Sequence, residues 1–122
     1  MKKETGIRTL LVIFLGLPLM LSSCATQKTL YNWGKVHESS YQYMKNNTEK
    51  DMENLLVAYQ YVIDNQKGGR MVVPPGIYAD YGFMLIKQGR IEEGIKLMKL
   101  EIALYPESAI FLERIIKRIE NQ

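Results

Sequence analysis

One cysteine, one histidine and one tryptophan occur in 122 residues. A single cysteine excludes a disulfide framework within the chain. A single histidine leaves any metal site to carboxylates, without the usual imidazole or thiolate set. No apolar run reaches the roughly 20 residues that cross ~30 Å of hydrocarbon. Charge of one sign is scarce as well. Two charges of the formal excess of +3 lie in Lys2, Lys3 and Arg8 set against Glu4, and from Cys24 onward 13 basic residues face 12 acidic ones. A near-neutral balance gives little reason to expect nucleic acid as a partner, since its binding needs a broad basic face to neutralise phosphates.

What is present begins at the N-terminus. "MKKETGIRTLLVIFLGLPLML" joins a basic start to a short apolar core, the pattern of a secretory signal. Thr9 to Leu21 is too short for an uncleaved membrane anchor, and Gly16 and Pro18 interrupt it. Leu21-Ser22-Ser23-Cys24 resembles the lipobox of bacterial lipoproteins. The resemblance implies a signal peptide over 1–23, cleavage between Ser23 and Cys24, and a diacylglycerol thioether plus an N-acyl chain on Cys24. Two or three acyl chains hold a membrane far better than one. No other cofactor is expected. Ala25 follows the cysteine where aspartate favours inner-membrane retention in enterobacterial lipoproteins, which points to the outer membrane.

Residues 24–30 form a short lipidated tether, and 31–122 the domain. Glu38 to Asn46 suits a short helix. From Thr48 to Gln66 the spacing predicts a longer one, with Thr48 as cap, Glu49 and Asp51 in the first turn, and Met52, Leu55, Leu56, Tyr59, Val62 and Ile63 on one face. Gly68-Gly69 is expected to end it. Pro74-Pro75 delays the next helix until Pro75 itself, which suits a first turn. Two helices follow around Gln88-Gly89-Arg90. Pro106 stops the second, and Ser108 is expected to cap a last one with Leu112, Ile115, Ile116 and Ile119 on one side. No strand pattern is found, so the predicted fold class is all-α.

Residues 75–108 span about 34 positions, the period of a tetratricopeptide repeat. Counted from Pro75, Tyr78, Tyr81 and Leu85 take the large positions of the first helix, Gly82 the small one and Gly89 the turn. Met98 takes the large position of the second helix, and Pro106 closes the unit. Gly94 stands where alanine is usual, and Glu101 replaces a commoner small residue. A generic helical hairpin is the plainer explanation. Against it, residues 109–121 repeat the offsets of a first helix, as a capping helix would, and Tyr41 to Gln66 resembles a degenerate earlier repeat with a longer turn. The aromatic stretch from Tyr31 is expected to close one end of the core.

Pro74-Pro75-Gly76, Tyr78, Gly82, Gly89 and Tyr105-Pro106-Glu107-Ser108, with upstream "YNWGKVHESSYQYMK" and the lipobox, carry a further resemblance. Together they resemble a family of small outer-membrane lipoproteins with a tetratricopeptide-like domain of unknown function. Its members tend to be encoded beside a lipoprotein similar to the curli secretion channel subunit. The resemblance implies membership of a periplasmic, membrane-attached assembly and carries no catalytic or binding residue with it.

Chemistry has few places to reside. Ser39 and Ser40 lie close to His37, but capping at a helix start explains them. Gly68-Gly69-Arg70 lacks the Lys-Ser/Thr ending of a phosphate loop. Catalysis and a small-molecule substrate are therefore not expected. Tyr59, Tyr78, Tyr81 and Tyr105 read as half-buried packing residues with wet hydroxyls. For partner binding, the inner groove of a tetratricopeptide stack nominates Ala79, Phe83, Ile86 and Lys87, with Glu113, Lys117 and Glu120 of the last helix. Phe83 as an apolar floor beside Lys87 and Lys117 suits a segment with an acidic end. The patch of Tyr31, Trp33 and Tyr41 is a rival surface. The expected function is a protein-binding scaffold of a channel-like lipoprotein complex, with a non-catalytic envelope-maintenance role as the alternative.

Overall fold

Amphipathic spacing and turn chemistry divide the domain into five helices. In the computed structural model, which describes residues 28–121, these are α1 (Val36–Asn46), α2 (Glu49–Asp64), α3 (Ile77–Lys87), α4 (Ile91–Leu104) and α5 (Ala109–Glu120). A 3₁₀ turn, Pro106–Ser108, joins the last two. Among the described residues there is no strand, and none of the helices is long and apolar enough to cross a membrane. The expected signal-peptide helix, the cleavage site at Ser23 and the lipidated Cys24 lie outside the described residues.

The chain folds as two helical hairpins, α1–α2 and α3–α4. α2 packs on α3, and α5 packs on α4. Val36, Tyr43, Leu55, Ala58, Tyr59, Val62, Val73 and Ile77 form one core cluster, and Trp33, Tyr78 and Tyr81 lean on it. Met98, Leu112 and Ile116 form a second, flanked by Ala79, Ile86, Ile95, Ile102 and Ile115. Tyr59 is fully buried rather than half-buried, and its ring stacks on Tyr81 with centroids 5.7 Å apart. Burial pushes its phenol well above the ordinary range.

The α3–α4 hairpin closes on glycine. Gly89 sits in the left-handed region at φ 82°, which a residue without Cβ adopts at no steric cost. Gly82 and Gly94 bring the two backbones together. A methyl group on Gly82 would stand 2.5 Å from the Gly94 carbonyl oxygen. In the other hairpin, Asn47 takes the left-handed position at φ 49°, and the Thr48 hydroxyl accepts the Asp51 N–H at 3.1 Å. Only Asn47 and Thr48 separate these helices, so this turn is shorter than that of α3–α4, contrary to expectation.

Other boundaries move for local reasons. α1 starts at Val36, two residues before the expected Glu38. α2 ends at Asp64, ahead of the glycines, because Asn65 and Gln66 turn back to donate to the Tyr61, Val62 and Ile63 carbonyls. Pro75 precedes α3 instead of opening it; Gly76, at φ 91°, holds the cap. Ser108 does not cap α5. Its hydroxyl donates to the Tyr105 carbonyl at 2.7 Å, so the 3₁₀ turn starts the helix.

Gly68 serves a different purpose from helix ending. The N-terminal segment crosses over it: Gly69 N–H donates to the Thr29 carbonyl at 2.8 Å, and Arg70 N–H to the Leu30 carbonyl at 3.0 Å. A methyl on Gly68 would lie 2.5 Å from the Leu30 oxygen and 2.5 Å from Tyr31 Cα, so no other residue fits without moving the segment. Asn32 adds a side-chain bond, Nδ2 donating to the Asn65 carbonyl at 2.6 Å. The point where the chain enters the domain is thereby fixed to the loop after α2.

Candidate protein-binding surfaces

Helical spacing sets Ala79, Phe83, Ile86 and Lys87 along one side of α3, but their surroundings differ. Ala79 and Ile86 are half-buried against the second core cluster. Phe83 stays 48% exposed. Lys87 is engaged within the fold: its Nζ donates to the Tyr43 hydroxyl at 3.0 Å and lies 5.3 Å from that ring's centroid. It ties α3 to α1 across 44 residues of sequence. Glu113 and Lys117 are exposed on α5 and share a shallow depression with Lys99, Ile102 and Glu120. Phe83 and Lys87 do not line that depression, so the structure does not gather the nominated residues into one groove.

The rival aromatic patch is split as well. Trp33 packs on the first cluster, with its ring 4.9 Å from that of His37 and 6.3 Å from that of Tyr31. It closes one end of the core. Tyr41 is exposed on α1.

A groove of about 670 Å³ lies between α1 and α2. Gly34, Lys35, Glu38, Ser39 and Gln42 form one bank, and Asp51, Asn54, Val57, Ala58 and Tyr61 the other. Val57 is 65% exposed and Tyr61 48%; four residues apart on α2, they share a face. Gly34 makes room for Tyr61, since a methyl there would stand 3.0 Å from the ring. At the end near the α1–α2 turn, hydrogen bonds from Thr48 at 2.6 Å and Asn46 at 3.1 Å hold the Asp51 carboxyl below the usual range, so it stays ionised. The groove therefore combines an apolar strip, amide donors and acceptors from Gln42 and Asn54, and charges of both signs. Sequence reasoning missed the site because Val57 and Tyr61 lie off the apolar face of α2, and only their i, i+4 spacing signalled a second stripe.

Glu101, expected in the sequence to stand where a tetratricopeptide repeat has a smaller residue, is 2% exposed. From α4 its Oε1 accepts the Gly76 N–H at 2.6 Å, at the start of α3. The unpaired amides there favour a negative group. Oε2 is buried without a hydrogen-bond partner. Burial raises the carboxyl above its ordinary range, against the opposing pull of the Gly76, Ala79 and Tyr78 amides. Tyr105, whose hydroxyl donates to the Val73 carbonyl at 2.6 Å, is pushed up to about 12 by burial and by neighbouring Tyr31. Both groups hold the loop before α3 against α4. Among the described residues, no cluster of three or more His, Cys, Asp or Glu side chains is set to hold a metal ion.

The family model described as a domain of unknown function (DUF4810) matches residues 30–115. The chain belongs to the DUF4810 family. No curated protein and no solved structure matches it. The DUF4810 span takes in the chain crossing at Leu30, every residue of the α1–α2 groove, the Gly82–Gly94 contact and the first part of α5, through Ile115.

Proposed function

We propose that this DUF4810 chain is a non-catalytic, lipid-anchored protein-binding module. It is attached through Cys24 to the outer membrane and serves as a scaffold or assembly accessory of a periplasmic, channel-like lipoprotein complex. The observation that carries the binding role is the α1–α2 groove, where Val57 and Tyr61 stay exposed beside a row of polar side chains. Large apolar groups left in a concave, polar-rimmed surface mark places where a partner completes the packing. A helical or extended partner segment lays an apolar anchor on Val57 and Tyr61 and bonds to Gln42 and Asn54. The lipobox resemblance of Leu21 to Cys24 supports the anchor, and the resemblance to small lipoproteins encoded beside a curli-channel-like lipoprotein supports the choice of partner.

Affinity purification of the tagged chain from cross-linked cells, followed by mass spectrometry, tests both parts. A channel-like lipoprotein is expected with the wild type and with Phe83→Asp, and lost with Tyr61→Asp or Val57→Asp in variants that keep their helical circular dichroism. Loss with Phe83→Asp alone moves the site to the exposed side of α3. Recovery of cell-wall enzymes, or of bulk lipoproteins only, replaces the scaffold with envelope maintenance. A Cys24→Ser variant that remains membrane-attached removes the anchor.

A further inference from the structure

The loop after α2 and the segment pinned across it share an unusual composition. No acidic residue occurs between Cys24 and Glu38, or between Asp64 and Asp80, while Lys28, Lys67 and Arg70 all do. All three are exposed. Arg70 is held in place by donating from Nη1 to the Tyr31 hydroxyl at 2.7 Å, which uses one of its five N–H donors, and no carboxylate pairs with it among the described residues. Asp64, the nearest acid in sequence, receives the Gln60 amide instead. Among these cations stand two exposed apolar side chains, Leu30 at 64% and Met71 at 63%. Met71 adopts φ 53°, a left-handed conformation that non-glycine residues seldom take. The Arg70 N–H to Leu30 carbonyl bond keeps the two strips side by side.

We infer that the edge formed by Lys28, Leu30, Lys67, Arg70 and Met71 lies against an anionic phospholipid surface and sets how the domain stands on its membrane. The inference rests on lipidation of Cys24. Only Ala25, Thr26 and Gln27 separate that residue from Lys28, and at ~3.5 Å per residue the four steps reach about 14 Å when fully extended. The headgroup layer takes up roughly 5–7 Å of that. Since Thr29 and Leu30 are bonded to the Gly69-Arg70 backbone, the domain cannot swing away on a longer leash. Basic side chains flanking short apolar ones are the composition that seats in an anionic interface. α2 then runs away from the membrane, carrying the α1–α2 turn roughly 24 Å from this edge.

The test uses the mature lipidated chain, with the lipid on Cys24 confirmed by mass. It is reconstituted into vesicles of phosphatidylethanolamine and phosphatidylglycerol. Because the Cys24 sulfur is then a thioether, an introduced cysteine is the sole free thiol. A nitrobenzoxadiazole probe is placed at Met71→Cys or, at the far end of α1, at Met44→Cys, where the wild-type side chain is 72% exposed. Expected is a blue shift and strong quenching by nitroxide lipids at position 71, with neither at position 44. Lys28→Glu with Lys67→Glu should bring the position-71 signal down to the position-44 level while the chain stays attached. Vesicles of phosphatidylcholine alone should weaken it several-fold. Equal, weak quenching at both positions in a lipidated chain overturns the orientation and leaves the anchor standing. Undiminished quenching on phosphatidylcholine, or in the double charge reversal, overturns the electrostatic seat. A chain without lipid on Cys24 removes the anchor and this orientation together.

Discussion

Between α3 and α4 the facing residues are Gly82 and Gly94, and their backbones nearly touch; in the α1–α2 half the cluster is built from Tyr43, Leu55, Ala58, Tyr59 and Val62. Small residues let two helices close along their length, leaving no room for a ligand. The α1–α2 hairpin has no such glycine pair among its cluster residues, and on its solvent side lies the groove lined by Val57 and Tyr61. The α3–α4 hairpin is thus closed on itself, and the α1–α2 hairpin leaves a groove open to solvent. Only one bond between long side chains, Lys87 to Tyr43, spans α1 and α3, so cooperation between the halves rests mainly on the α2–α3 packing.

Core truncation gives the largest effects and asks whether the halves unfold together. Leu55 is fully buried in the first cluster and Met98 1% exposed in the second. Leu55→Ala and Met98→Ala should each cost about 3 kcal/mol in a denaturant titration. Trp33, the one tryptophan, reports only the first cluster, whereas circular dichroism reports every helix. If the two hairpins form one cooperative unit, Met98→Ala shifts both transitions equally. A Trp33 midpoint that stays put in Met98→Ala would separate them.

Gly82→Ala should come next, at about 2 kcal/mol of destabilisation. Replacing a mid-helix glycine by alanine ordinarily gains about 1 kcal/mol. Here the new methyl meets a backbone carbonyl, which has no flexible end to move aside. A stabilised Gly82→Ala would mean the helices are not in close contact and would erase the contrast between the hairpins.

A smaller change depends on pH. The Glu101 carboxyl is raised by burial, so between its unfolded and folded pKa values the native state binds the extra proton. Its contribution to stability is therefore greatest below the ordinary carboxylate range and declines as pH rises through the raised value. In Glu101→Gln that decline is absent. Thermal midpoints of the wild type should fall relative to those of Glu101→Gln as pH increases from the acid side to neutrality. Parallel curves would show that the site does not titrate differently on folding.

Much of this contrast was legible in the sequence where it depends on neighbours along the chain. The offsets from Pro75 pointed to Gly82, Gly89 and Met98 because helix contact and turn conformation are decided within one helical hairpin. The role of Glu101 was hidden, since its partner Gly76 lies 25 residues away. So was that of Gly68, whose requirement comes from a segment 38 residues earlier that carries no periodic signal. Lys87 was nominated for a groove on its helical position alone, and Tyr43, 44 residues away, engages it. Spacing reveals which residues share a face; it does not reveal which distant segment covers that face.

The smallest effect separates the two ways of starting a helix. Thr48 accepts the Asp51 N–H at 3.1 Å, and Asp51 in turn receives the Thr48 hydroxyl. Ser108 carries the same kind of side chain at the start of α5, yet donates to the Tyr105 carbonyl and satisfies no amide of its helix. Thr48→Ala should cost about 1 kcal/mol, the ordinary worth of a lost cap. Ser108→Ala should cost less, because the Tyr105 carbonyl also accepts the Ser108 N–H at 3.0 Å and keeps a partner without the hydroxyl. Thermal melts of the two variants compare them directly. Equal losses would show that Ser108 caps α5 in solution and that the 3₁₀ turn does not replace it.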